Sequence, residues 1–600
     1  MANEVSGETA KRTVEGLSRQ HRMRGSRGFR NAADQVVAEL KRYGLADAHI
    51  ESLPADGKIF YGTQRSRPAW NAEFAELWEL DAEGARVKRL ASWDAAPIVL
   101  AQDSFSGEAT APLVDVGAGT RDEDYKDVKG KLVLTSSMPS AIAPLAIGRF
   151  GAAGIISYAQ NQRTGWYGED ETLIRWGHLD TFAPENERTF AFMVSLQTAR
   201  ALQARLARGE TIRMHAKVIA GQEPGEYDIA TATIPGSDLR QQEIVFSCHL
   251  DHPRPGANDN ASGCAAILEA ARMLSKLIRE ERLPPPRRTL RFVWPPEIEG
   301  TLALLNGRPE LAHRIKAAIH LDMVGGGPET KAIFHVTRGP ASQPSFVYDV
   351  AQSVGMLVND ETARYAMTGS TRWPLLASDG TKDPLRAAFV PLTLGSDHQV
   401  YSDSSWGIPA IYLNDWPDRY IHTNKDVPAN IDSTKLGRAA FIAAATGYAL
   451  AIISNDDTPA LHEMLDAFAL ERRATALRNK TLKFADWYET EMKASLARFI
   501  DNTPRTSNQP PPTNAYRRNP AIKGTMGAFG YDYFTAHYAK AKEIRLGEEY
   551  RYEALNLVDG RRTVKEIRDL LAAIYGDVPL PDVEQYLAAL ASIDVVQSLR

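Results

Sequence analysis

The chain has 600 residues, a formal net charge of -5, 44% hydrophobic and 24% charged residues, and 2 cysteines. That length exceeds one ordinary core and predicts several domains. The mildly acidic balance excludes a general attraction to nucleic acid or an anionic membrane, and so few cysteines exclude a disulfide-stapled scaffold. Cys248 and Cys264 read as free, buried thiols. No run of apolar residues is long enough for a membrane span, and none is expected. The opening MANEVSGETAKRT lacks an apolar signal-peptide core, so cytoplasm is the expected location.

In chain order, residues 8–45 read as helical, with Ala38, Leu40 and Tyr43 in helical period and Gly44 as C-cap. HIESLP follows as a short strand, and 1–69 forms the N-terminal part of the main domain. Residues 70–221 change character: short runs such as APIVLAQ and GKLVLTSS alternate with Gly, Asp and Ser, which predicts a β-rich insert. Over 222–455, strands EIVFSCHLD, TLRFVWPPE, AAIHLDMVGG and GIPAIYLND alternate with helices, ASGCAAILEAARMLSKLI being amphipathic. This alternation predicts the α/β class, a mostly parallel sheet sandwiched by helices, with ligands beyond the carboxyl ends of its strands. Within 456–540, residues 456–500 read as a long polar helix or helix pair, and NTPRTSNQPPPTNAYRRNP as a linker. Residues 541–600 read as a small unit of helices and strands with a turn at Asp559-Gly560.

The chemistry-bearing residues sit at the expected strand ends. In CHLDHPRPGANDNASG, His249 suits a metal ligand with Asp251 supporting it, since a carboxylate behind a ligand imidazole fixes its tautomer. Asp259, in the turn before a helix, can bridge two ions, or Asp259 or Asn260 can simply cap that helix. In PPEIEGT, Glu297 is placed to act as a general base, while Glu299 is either a ligand or an ordinary first-turn glutamate. Asp322 ends another apolar strand, where an idle carboxylate is costly, and His320 beside it is a decoy. Asp397 and His398 lie in one loop and His422 in another. A set of His, Asp and Glu at strand ends of one sheet is the N/O donor mix that zinc takes in hydrolases.

In this order, H-x-D, GANDNASG, a strand-end Glu, LDMVG and YIHTNKD resemble the co-catalytic zinc exopeptidases, the clan of aminopeptidase Y, bacterial leucyl aminopeptidases and glutamate carboxypeptidase. The resemblance covers roughly 8–65 and 222–455; the insert is similar to a protease-associated domain and 541–600 to a winged helix. It implies that His249 and Asp322 bind one zinc, that Asp259 bridges two, that His422 binds the second and that Glu297 is the general base. The departure is Ile298, where the family has a second, metal-binding glutamate; one zinc or two is thereby left open, as is Glu299 as a substitute. His398 is a candidate for contact with substrate or oxyanion.

The function expected is hydrolysis of peptide or small amide substrates, foremost release of N-terminal residues. Alternatives are a carboxypeptidase, an amidase or a glutaminyl cyclase on the same scaffold, or a binding protein with a degenerate metal site. Arg561, Arg562, Lys565 and Arg568 are offset by Asp569, Asp577, Asp582 and Glu584, so the last unit is expected to serve protein or intramolecular contacts rather than nucleic acid. No membrane partner is expected, and a homo-oligomer is compatible with the sequence.

Overall fold

The structure, a computed structural model, describes residues 1–160, 168–501, 515–527 and 533–599. Its centre is an eight-stranded sheet built from β1 (His49–Ala55), β2 (Gly225–Ile234), β3 (Leu239–Ser247), β4 (Arg288–Trp294), β5 (Ile315–Asp322), β6 (Phe334–Thr337), β7 (Ala388–Val390) and β8 (Ala410–Asp415), in the order β1-β2-β4-β3-β5-β8-β6-β7. The middle four, β4, β3, β5 and β8, run parallel, with Val245 beside Ala318 and Asp322 beside Asn414. Their carboxyl ends therefore form one rim.

The apolar runs of these strands are buried on both faces, as a covered parallel sheet requires. Ile244 and Phe246 join the core beneath helices Gly263–Arg279 and Ser433–Ile452, whereas the intervening Val245 joins Leu302 and Leu305 of helix Glu299–Gly307 on the other face. This is the period-two alternation of a strand.

The expected helix over 8–45 is instead two, Gly7–Leu17 and Arg27–Arg42. Gly25 takes a left-handed φ of 69°, and Ser26 caps the second helix through Phe29 N–H. The segment between them runs extended and pairs Arg22 with His252. The cysteines are also corrected: Cys248 and Cys264 are bonded to each other, because the end of β3 lies against the start of helix Gly263–Arg279 with the Cα atoms 5.3 Å apart.

A second, seven-stranded sheet lies within Ala69–Glu223. Its first and last strands pair at their roots, Ala69 opposite Glu223, so this unit leaves and rejoins the central domain at one place. Residues 458–501 form the helix pair Thr458–Asn479 and Leu482–Asp501. Most of the linker expected from Asn502 lies outside the described residues. At the C-terminus, helices Glu548–Asn556, Val564–Tyr575 and Leu580–Ser592 pack on a three-stranded sheet around a core of their own. Its first helix docks on the central domain: Tyr552 Oη donates to the carbonyl of Gln399 at 2.7 Å, and the Glu553 carboxylate accepts the N–H groups of Ala341 and Ser342 at 2.8 and 2.9 Å.

Candidate metal centre

The rim formed by β3, β5 and the loop after β8 gathers two groups that share Asp259: His249, Asp259 and Asp322, and His252, Asp259 and His422. His249 Nε2 lies 3.3 Å from Asp259 Oδ1 and 3.2 Å from Asp322 Oδ1. The other carboxylate oxygen, Asp259 Oδ2, lies 3.3 Å from His252 Nε2 and 2.9 Å from His422 Nε2. One carboxylate thus presents one oxygen to each group.

The local sequence builds this arrangement. His249 Nδ1 faces the Asp251 carbonyl at 3.1 Å and the Asp251 carboxylate at 3.5 Å, which puts the proton on Nδ1 and leaves the Nε2 lone pair toward the cleft. His252 Nδ1 donates to the Pro253 carbonyl at 2.8 Å, with the same result for its Nε2. Gly256 takes a φ of 54°, and a Cβ there would meet His252 Nδ1 at 2.4 Å, so this turn needs glycine twice over. Asp259 is held by its N–H, which donates to Asp426 Oδ2 at 3.0 Å. The start of the following helix is served by Asn260, whose Oδ1 accepts Gly263 N–H at 2.9 Å. Asp259 is therefore not the cap, and its carboxylate is left for the cleft. Asp322 ends β5, where Tyr412 Oη donates to Oδ2 at 3.3 Å. His422 is placed by the insert: its carbonyl accepts Trp176 N–H at 2.7 Å, and the Trp176 ring stands edge-on to both His422 and His252 at 5.1 Å.

Electrostatics mark the same point as a place for positive charge. Burial opposes a charge on His249, yet Glu297 and Asp322 raise its pKa well above the ordinary value. Burial likewise opposes ionisation of Asp259, but His252, His249 and His422 take its pKa well below the usual range. Asp322 Oδ1 and His252 Nε2 are both buried and make no hydrogen bond. Such orphaned acceptors are costly unless a cation meets them, and three imidazoles with two carboxylates are donors that zinc accepts. The residues fit a metal.

Glu297 follows β4 and two prolines. Its N–H donates to Asp251 Oδ1 at 2.6 Å, and the next N–H, of Ile298, donates to Asp397 Oδ1 at 2.8 Å. Ile298 adopts φ 58° and ψ -56°, with Glu299 N–H returning to the Glu297 carbonyl at 2.5 Å. This is a tight three-residue turn in a conformation that costs a β-branched residue strain, held here by the two carboxylates. Burial first, then Asp322, Asp251 and Asp259, push the Glu297 pKa well above the usual range, against the pull of His249. Such a carboxyl is suited to holding and returning a proton.

Two expectations need correction. Glu299 does not join the metal groups: beyond the turn, its buried carboxylate is ion-paired to Arg67, lies 3.5 Å from Arg24 Nε and accepts Tyr227 Oη at 2.8 Å. His398 does not face the cleft either. It is fully buried, its Nε2 meets the Thr393 carbonyl at 2.7 Å, and its ring stacks on Tyr412 with centroids 4.1 Å apart. The ring that presents a hydroxyl to the centre is Tyr412. Sequence reasoning also missed His252, Trp176 and Arg22; the signal for His252 was its place three residues after His249, before the turn that carries Asp259.

Comparison with known proteins agrees with this site. Residues 230–447 match the profile of peptidase family M28. The chain is 29% identical over 166 residues to "Leucine aminopeptidase 1" of Pyrenophora tritici-repentis, a match spanning 25% of this chain and 41% of that protein. Among solved structures, a putative peptidase from Clostridium acetobutylicum superposes with TM-score 0.50 at 13% identity, covering 99% of this chain and 96% of that one. A peptidase M28 precursor from Shewanella amazonensis gives TM-score 0.50 at 17% identity, covering 75% and 95%. Both likenesses concern the fold, a mixed α/β sheet with helices. Over residues 230–447, the chain carries a peptidase family M28 domain.

Proposed function

We propose that this protein is a zinc-dependent exopeptidase that releases N-terminal residues from peptides. The observation that carries the reading is the shared Asp259, one oxygen toward each imidazole group, with Glu297 beside them at the end of β4. Zinc bound here would acidify a water and polarise the scissile carbonyl. Glu297 takes the proton of the attacking water and returns it to the leaving amine. Asp251 orients His249 and, through its bond to the Glu297 N–H, fixes the base relative to that ligand. Tyr412 Oη, next to Asp322, is in place to donate to an oxyanion.

The aminopeptidase assignment is supported by the name of the fungal relative. The antiparallel and parallel strands of Ala69–Glu223 support a protease-associated domain, and the three helices on a small sheet support a winged-helix unit whose docking helix favours an intramolecular role.

Glu297→Gln is expected to lower kcat on an aminoacyl amide at least about 100-fold, with ion content unchanged by elemental analysis. Turnover equal to wild type would remove Glu297 from this role. A preference for N-blocked over free-amine amides would replace the aminopeptidase reading with the carboxypeptidase or amidase one.

A further inference from the structure

The turn at 297–299 lacks the second metal-binding carboxylate, because Ile298 points into the apolar core and Glu299 into a buried pair of arginines. If nothing took its place, the second group would consist of Asp259 and the partly exposed His422. The chain instead brings a third donor from a different element. We propose that His252 is the ligand that completes a second, imidazole-rich metal site with His422 and the shared Asp259, in place of the missing carboxylate.

Three observations support this. The His252 ring is buried, its Nδ1–H is taken by the Pro253 carbonyl, and its Nε2 is left without a hydrogen bond, 3.3 Å from the oxygen of Asp259 that also faces His422. The residue is held by machinery that its backbone alone does not supply. Arg22 and His252 exchange both N–H to carbonyl bonds at 3.0 Å, and the buried Arg22 guanidinium donates to the carbonyls of Leu250 at 2.9 Å, Leu17 at 2.7 Å and Gly256 at 2.8 Å. The Trp176 ring then closes over His252 and His422 together.

The two sites therefore differ in donor chemistry. The first has one imidazole and two carboxylates; the second has two imidazoles and only the shared carboxylate. Carboxylate-rich sites accept Mn²⁺ as well as Zn²⁺, whereas imidazole-rich ones favour Zn²⁺ and disfavour harder ions. Zn²⁺ is expected to fill both sites and Mn²⁺ the first alone.

This assignment rests on the metal-dependent reading above, but its test does not use peptide hydrolysis. Ion content of the full-length protein is measured by elemental analysis and calorimetric titration with Zn²⁺ and with Mn²⁺. Wild type should bind two Zn²⁺ and one Mn²⁺. His252→Ala should bind one Zn²⁺, the second weakened by more than the about 100-fold that follows loss of an outer hydrogen-bond partner. Two Zn²⁺ of unchanged affinity in His252→Ala, or a single Zn²⁺ in wild type, would overturn the proposal. If His252→Ala does not fold, His252→Glu decides: binding of a second Mn²⁺ supports the ligand position, and a Mn²⁺ count unchanged at one overturns it. A wild type that binds two Zn²⁺ but cleaves no peptide would sink the exopeptidase reading and leave this site standing.

Discussion

The two groups that share Asp259 are built in different ways. His249 and Asp322 stand at the ends of adjacent parallel strands, β3 and β5, and their side chains are 3% and 7% exposed. His252 and His422 stand on loops; His422 has a φ of 57° and a side chain 39% exposed. The sheet fixes the first pair, so no separate device is needed to aim them. The second pair depends on Arg22 from the N-terminal segment and on Trp176 from the insert. A centre of this kind has one half that is as stable as the central core and one half whose geometry depends on distant parts of the chain.

Asp259→Asn is the substitution that should erase the difference, since it acts on both halves at once. An amide has one oxygen and no charge, so it cannot offer an anionic oxygen to each group. Both ions should be lost from the dialysed protein, and hydrolysis should fall by at least about 100-fold. Retention of both ions would mean that the two groups do not meet through Asp259.

This asymmetry also explains what could be read from the sequence. The central sheet, the rim and His249, Asp259, Asp322 and Glu297 were legible because an apolar run followed by a polar residue marks a strand end, whatever its neighbours. The break at 18–26 was not legible. Its helix-like composition is overridden by pairing of Arg22 with a segment some 230 positions away, as the separation of 228 between Arg22 and Leu250 illustrates. Glu299 was ambiguous because the turn at Ile298, which decides where the next carboxylate points, is set by Asp397 and by apolar packing rather than by local propensity. Trp176 could not be found at all, since its meeting with His422 depends on how the insert folds back over the rim.

Arg22→Met should separate the halves. The apolar stem is kept, but the carbonyls of Leu17, Leu250 and Gly256 lose their donor. Burying unsatisfied acceptors is expected to cost about 3 kcal/mol, measurable by urea unfolding. Of the metal, the ion at His252 and His422 should weaken and the ion at His249 and Asp322 should not. Equal weakening of both would show that Arg22 supports the rim as a whole rather than the segment that carries His252.

The smallest effect should come from the insert. Trp176→Ala removes an aromatic edge from each of two imidazoles without touching a donor atom. Aromatic contacts of this geometry contribute about 0.5–1.5 kcal/mol each, so the second ion should bind roughly 3- to 30-fold more weakly while the first is unchanged, as read by the same calorimetric titration. The backbone bond from Trp176 N–H to the His422 carbonyl survives this change. A loss confined to that range would therefore assign the ring to shaping the second half of the centre. No change in either ion would place the loop-borne half on Arg22 alone, and the insert would then act on substrate access rather than on the metal.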